Sequence, residues 1–142
     1  MLNILTVDDD EITQFHLNQL LLPLGRNRMA YSGEDAIARV EESIASGDGF
    51  DVILMDVIMP GIDGLKTVSE IVRLFNEKRI PLERRPKIVM LSSVEERETQ
   101  IDALYACGAD HYIMKPVDEE VLLGALKELG VIPPGQTGLR PR

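Results

Sequence analysis

Short apolar runs alternate along the chain with longer stretches of helical periodicity. Residues 2–7 form an apolar run that ends in the acidic cluster Asp8-Asp9-Asp10-Glu11. This reads as a buried strand followed by a helix over residues 11–24, with acidic groups at its positive end and Gly25 as its closing glycine. Residues 28–31 offer a second short strand. Ser32 caps a helix over residues 33–46 whose apolar face is Ile37, Val40 and Ile44, and Gly47-Asp48-Gly49 makes a turn. Val52-Ile53-Leu54-Met55, inside the region 51–59, is the most apolar run of the chain and stops at Asp56. Its continuous rather than alternating apolarity predicts a strand covered on both faces, as in a parallel sheet. Met59-Pro60-Gly61-Ile62-Asp63-Gly64 is a loop by its Pro and Gly content, and a helix over residues 65–76 follows. Residues 77–87 form a charged connection, and 88–91 form a fourth strand. Ser93 and Glu96 have capping-box spacing for a helix running to Cys107, closed by Gly108. Residues 111–114 form the last strand and Lys115-Pro116 a turn. Asp118 caps a final helix that ends at Gly130.

Five strands thus alternate with five helices, a (βα)5 order that predicts an α/β fold with a parallel sheet and helices on both faces. The 142 residues fit one domain, 1–130. Residues 131–142, with three prolines, read as a flexible tail or a truncated linker. Hydrophobic residues at 44% and charged residues at 27% are a globular balance, not a disordered one. A net charge of −9 argues against direct nucleic-acid binding, because phosphate contact needs a basic face. No apolar run approaches the roughly 18 residues of a membrane span, and no basic segment precedes a long apolar one as in a signal peptide. A single cysteine, Cys107, rules out an internal disulfide framework. These features point to the cytoplasm.

In open parallel sheets, ligands bind beyond the carboxyl ends of the strands, near the point where strand order reverses. Here the strand ends carry Asp8 and Asp9, then Asp56, then Ser92 and Ser93, then Lys115. Two unit charges about 4 Å apart repel by about 4 kcal/mol at an effective dielectric near 20, so three convergent carboxylates want a cation. Oxygen-only ligands in small number favour Mg²⁺. A carboxylate beside a metal and a lysine is suited to nucleophilic attack on phosphorus, and a nearby serine to donating a hydrogen bond to a phosphoryl oxygen.

Four motifs carry a family resemblance: Val7-Asp8-Asp9-Asp10; Asp51 to Asp56 with Met59-Pro60-Gly61 and Asp63-Gly64; Ile88 to Ser93; and Lys115-Pro116. In that order they resemble the receiver domain of two-component response regulators, over residues 2–129. The resemblance implies a flavodoxin-like, doubly wound five-stranded sheet and a phosphorylation-dependent signalling switch that catalyses only its own phosphorylation and dephosphorylation. Carried over by position, Asp56 is the phosphoacceptor, and Asp8 and Asp9 hold Mg²⁺ with help from Asp56 and the backbone carbonyl of Ile58. Ser92 is the switching hydroxyl, Lys115 the lysine beside the phosphoryl group, and Tyr112 the switching aromatic. The Lys115-Pro116 bond is expected to be cis. The implied partners are a sensor histidine kinase or a histidine phosphotransfer protein, together with an unidentified downstream protein. The implied assembly is a monomer or a phosphorylation-dependent dimer. Ile58 and Val94 are apolar where a polar side chain could orient an attacking water, so slow hydrolysis of the aspartyl phosphate is expected.

Taken singly, the acidic cluster could be mere dipole complementation, and Ser93 is a cap rather than a switch residue. Cys107 and the methionines read as core, and Lys78, Arg79, Arg84, Arg85 and Lys87 as a solvated connection. The first helix carries two apolar stripes. Leu17, Leu20, Leu21 and Leu24 suit the sheet, while Ile12, Phe15 and Leu22 lie on another side, so Ile12, Phe15 and His16 are expected to meet a partner. Two alternatives stand beside the receiver reading. One is a phosphate-independent receiver-like binding module. The other is a haloacid-dehalogenase-type phosphohydrolase using Asp8 and Asp10, which leaves Asp56 unexplained.

Overall fold

The computed structural model describes residues 1–133. Five parallel strands, β1 (Leu2–Val7), β2 (Gly25–Ala30), β3 (Val52–Asp56), β4 (Lys87–Ser92) and β5 (His111–Met114), lie in the order β2-β1-β3-β4-β5. The α-helices among the described residues are α1 (Glu11–Leu21), α2 (Gly33–Ser46), α3 (Gly64–Glu77), α4 (Val94–Thr99), α5 (Ile101–Ala106) and α6 (Glu119–Glu128). One sheet face packs Leu5, Ile53, Met55 and Met90 against Ala36 and Val40 of α2 and Val68 and Ile71 of α3. The other packs Ile4, Leu54, Val89 and Ile113 against Leu17 and Leu21 of α1 and Leu122 and Leu126 of α6. The β3 run is therefore buried on both sides, as its unbroken apolarity requires.

The predicted N-terminal caps form. Ser32 Oγ accepts from the Asp35 amide at 3.0 Å, and Ser93 and Glu96 complete a reciprocal capping box. Asp118 caps α6, and the Lys115-Pro116 bond is cis.

Five expectations are corrected. The first helix stops at Leu21 instead of residue 24, and Gly25 opens β2 instead of closing that helix. A Cβ at Gly25 would lie 2.1 Å from the Leu2 carbonyl oxygen, so the glycine serves close strand approach. The second strand accordingly begins before residue 28 and ends at Ala30. The single helix expected over 93–107 is two, broken at Gln100 (φ −129°, ψ 24°), so the helix count exceeds five. In α4 the side chain of Val94 is exposed, which leaves the acidic first segment little packing to hold it in line with α5. The expected tail does not begin free: Ile132 is buried and Val131 packs beside it against the α1/α6 layer. The remainder of that tail, 134–142, lies outside the described residues. Arg85 of the charged connection is also more than solvated surface. Its guanidinium stacks over the Phe75 ring at 5.7 Å and Nε donates to the Ile80 carbonyl.

Candidate phosphoryl-acceptor site

Strand register assembles the site. Val7 pairs with Met55, so Asp8, one residue further on, is level with Asp56. Asp56 pairs with Leu91, which sets Ser92 one step beyond. Ser92 pairs with Met114, and the Lys115 amide donates to the Ser92 carbonyl at 2.8 Å. The reversal of strand order falls between β1 and β3, at Asp8 and Asp56.

One carboxylate oxygen from each of Asp8, Asp9 and Asp56 lies within 4.8 Å of the other two. Asp8 and Asp56 are buried and Asp9 is exposed, so the trio opens to solvent on one side. The Asp10 amide donates to Asp8 Oδ1 at 2.9 Å, while Asp8 Oδ2 is buried without a hydrogen-bond partner among the described residues. Burial raises the Asp8 pKa, with the charges of Asp9 and Asp10 adding to it against the Asp10 amide and Lys115. Lys115 forms an ion pair with Asp56. Burial still pushes the Asp56 carboxyl up to about 6, aided by the charge of Asp8 and opposed by Lys115. Burial works against the Lys115 ammonium as well, but the Asp56 hydrogen bond and the charges of Asp56 and Asp8 overcome it and raise its pKa. A carboxylate that remains hard to ionise beside a lysine is short of positive charge. An oxygen-seeking divalent cation fits that deficit and the partnerless Asp8 oxygen.

Ser92 is fully buried and its Oγ has no hydrogen-bond partner among the described residues, whereas Ser93 is committed to the α4 cap. A buried hydroxyl left this way has a donor to offer an incoming oxygen. Tyr112 is half-buried against the α2/α3 layer. Ile58 and Val94, each two residues past Asp56 and Ser92, are exposed and apolar. Asp10 stands apart from the trio. Its carboxylate accepts from the Ile12 and Thr13 amides and the Thr13 hydroxyl, and that hydroxyl bond leads in lowering its pKa. The phosphohydrolase alternative uses Asp8 and Asp10 together, and here the Asp10 carboxylate is a helix cap.

The apolar second stripe of α1 is exposed, with Ile12 at 79% and Phe15 at 65%. His16 is exposed too, but its Nε2 donates to the Val117 carbonyl at 3.1 Å, so it is tied to the segment after Lys115. Ile12, Thr13, His16 and Leu17 line a groove of about 420 Å³ against Lys115 and Val117. Residues that motif reading passed over are Thr6 and Gln14, both fully buried and polar. The available signal was Gln14 itself, a polar residue three before Leu17 on the stripe facing the sheet.

A 2-1-3-4-5 parallel sheet with acids, a hydroxyl and a lysine at its switch point defines the class, a flavodoxin-like receiver-type domain. The sequence matches the family model described as the response regulator receiver domain over residues 4–127. It is 38% identical over 128 residues to the transcriptional regulatory protein ZraR of Salmonella typhimurium, covering 89% of this chain but 26% of that protein. It is 32% identical to the protein PilH of Pseudomonas aeruginosa, covering 87% of this chain and 93% of PilH. The structure of the chemotaxis protein CheY4 of Vibrio cholerae superposes with a TM-score of 0.73 at 27% identity, covering 90% of this chain and 98% of CheY4. The chain belongs to the response regulator receiver family, whose members are phosphorylation-dependent switches of two-component signalling. Among the described residues, no helix is long and apolar enough to cross a membrane.

Proposed function

We propose that Asp56 accepts a phosphoryl group from a phosphohistidine of a sensor histidine kinase or histidine phosphotransfer protein in the cytoplasm. The observation that carries this reading is the ion pair of buried Asp56 with half-buried Lys115, facing two further carboxylates and a serine hydroxyl without a partner among the described residues. An Asp56 oxygen attacks phosphorus, the P–N bond breaks, and its electron pair leaves with the donor's imidazole, which takes up a proton. Asp8, Asp9, Asp56 and the Ile58 carbonyl would hold Mg²⁺. When bound, that ion offsets charge on the transferring oxygens. Lys115 neutralises another phosphoryl oxygen, and the Ser92 hydroxyl moves to donate to it. That movement frees space beside β5 into which Tyr112 turns, biasing the face formed by α4, α5, β5 and α6 toward a downstream protein.

Intact-mass measurement after incubation with acetyl phosphate and Mg²⁺ tests the reading. One added phosphoryl group is expected in the wild type and none in Asp56→Asn or without Mg²⁺. Incorporation that survives Asp56→Asn would overturn the assignment. In the same experiment the added mass is expected to persist in the wild type and to decay faster in Ile58→Asn, which can hold an attacking water. Equal decay would reject the role given to Ile58.

Ile12, Phe15 and His16 are assigned to the donor protein, because exposed apolar groups on α1 border the groove that reaches Lys115. Phe15→Glu is expected to slow transfer from the protein donor at least tenfold, a loss of about 1.4 kcal/mol. Acetyl phosphate, which needs no docking surface, should react with Phe15→Glu as with the wild type. Equal loss with both donors would reject a docking role.

A further inference from the structure

We infer that Gln14 is a positioning residue for the cation site, holding the end of β1 that carries Asp8 and Asp9. The inference rests on the Mg²⁺ reading above. Gln14 sits on the sheet-facing stripe of α1, where its neighbours Leu17 and Leu21 are fully buried aliphatics. It is itself fully buried and reaches the sheet with its amide. Nε2 donates to the carbonyls of Ala30 at 2.9 Å, Thr6 at 3.1 Å and Asp8 at 3.2 Å. Three carbonyl oxygens around one end of the side chain establish that end as the NH₂ group. The Thr6 hydroxyl donates to Oε1 at 2.6 Å and so fixes the opposite end.

Two of the acceptors, Thr6 and Asp8, lie where β1 hands over to α1, and the third, Ala30, is beside them on β2. Ala30, the last residue of β2, also accepts from the Asp8 amide at 3.1 Å. The main-chain N–H and C=O of Asp8 are therefore both anchored, one directly on β2 and the other through Gln14 on α1. Its carboxylate is oriented from the far side by the Asp10 amide. A methionine at position 14 would fill similar space and keep the helix packed, but it would leave the Asp8 carbonyl without this donor. Buried polar groups in an apolar layer are costly unless fully bonded, and here the bonds converge on the backbone that presents two cation ligands. A residue that orients ligands without touching the metal typically changes affinity by about 10–100-fold when removed.

The test compares wild type, Gln14→Met and a packing control, Leu21→Ala, by Mg²⁺ titration calorimetry and thermal unfolding, with phosphorylation by acetyl phosphate followed across Mg²⁺ concentration. Gln14→Met is expected to weaken Mg²⁺ binding about tenfold or more and to recover most of the wild-type phosphorylation rate at saturating Mg²⁺. Leu21→Ala is expected to lower Tm and leave Mg²⁺ affinity unchanged, which separates positioning from general loosening. Should Gln14→Met not fold, Thr6→Val, which releases Oε1, carries the same expectation with a smaller loss. Mg²⁺ affinity equal to wild type in the folded variant overturns the assignment of Gln14 alone. Absence of saturable Mg²⁺ binding in the wild type would overturn the cation site and, with it, this assignment.

Discussion

In the absence of divalent cations, Asp56→Asn is expected to be more stable than wild type by about 3 kcal/mol at about pH 8, and equal to it below about pH 3. Asp56 has a carboxyl pushed up to about 6 in the folded state, mainly by burial, from 3.8. The folded protein therefore binds this proton more tightly than the unfolded chain. Stability falls as pH rises from the unfolded value through the folded one, and the deficit is complete above it. The Lys115 pair is already included in that balance and does not reverse it, because burial and Asp8 act the other way. Asparagine removes the charge at nearly constant volume, so its stability lacks this slope. Urea denaturation of both proteins across this pH range gives the difference directly, since other carboxylates titrate in both. Lower stability of Asp56→Asn at the alkaline end would show that the Lys115 attraction outweighs burial. Saturating Mg²⁺ should narrow the gap by stabilising ionised Asp56 in the wild type alone. A site destabilised until positive charge arrives is one whose conformation responds to ligands, as a switch requires.

The strand ends were legible because charged or hydroxyl residues interrupt apolar runs there: Val7 to Asp8, Met55 to Asp56, Leu91 to Ser92. Parallel topology then brings such residues to one rim without further information. The bounds of α2 were legible to the residue because Ser32 and Gly47 are strong local signals, and Gly47 adopts the left-handed cap conformation (φ 78°). Gly25 misled for the opposite reason. A glycine after a leucine-rich helix looks like a cap, and its true cause, the Leu2 backbone, is distant in sequence. The break at Gln100 was hidden because the capping box reports where a helix starts and says nothing about how far packing sustains it. Gln14 was passed over because motif reading searches loops at strand ends, whereas this side chain acts from inside a helix that reads as core.

Gly64→Ala is expected to cost about 3 kcal/mol of stability, at the upper end of what overpacking usually causes, and to misplace Asp56. Gly64 opens α3 directly after its cap, where Asp63 Oδ1 accepts from the Lys66 amide at 2.8 Å. The Gly64 amide donates to the Val57 carbonyl at 2.7 Å, which draws the helix start against the end of β3. A Cβ there would lie 1.9 Å from the Asp56 carbonyl oxygen and 3.0 Å from Val57 Cα. Both are backbone atoms, so no rotamer change relieves the clash, and either α3 or the β3 terminus has to move. A shift of about 1 Å in a nucleophile can slow reaction about 100-fold, so with Asp56 as the proposed nucleophile, phosphorylation by acetyl phosphate should fall by a similar factor in the folded fraction. Gly124 in α6 supplies the contrast, because a Cβ there meets nothing within 4 Å. Gly124→Ala is expected to stabilise the helix by about 0.5–1 kcal/mol and leave phosphorylation unchanged. Urea midpoints and phosphoryl incorporation for the two variants separate close approach to Asp56 from the general effect of replacing glycine. Wild-type behaviour of Gly64→Ala in both measurements would mean that α3 withdraws without disturbing Asp56, and that the helix start does not position that carboxylate.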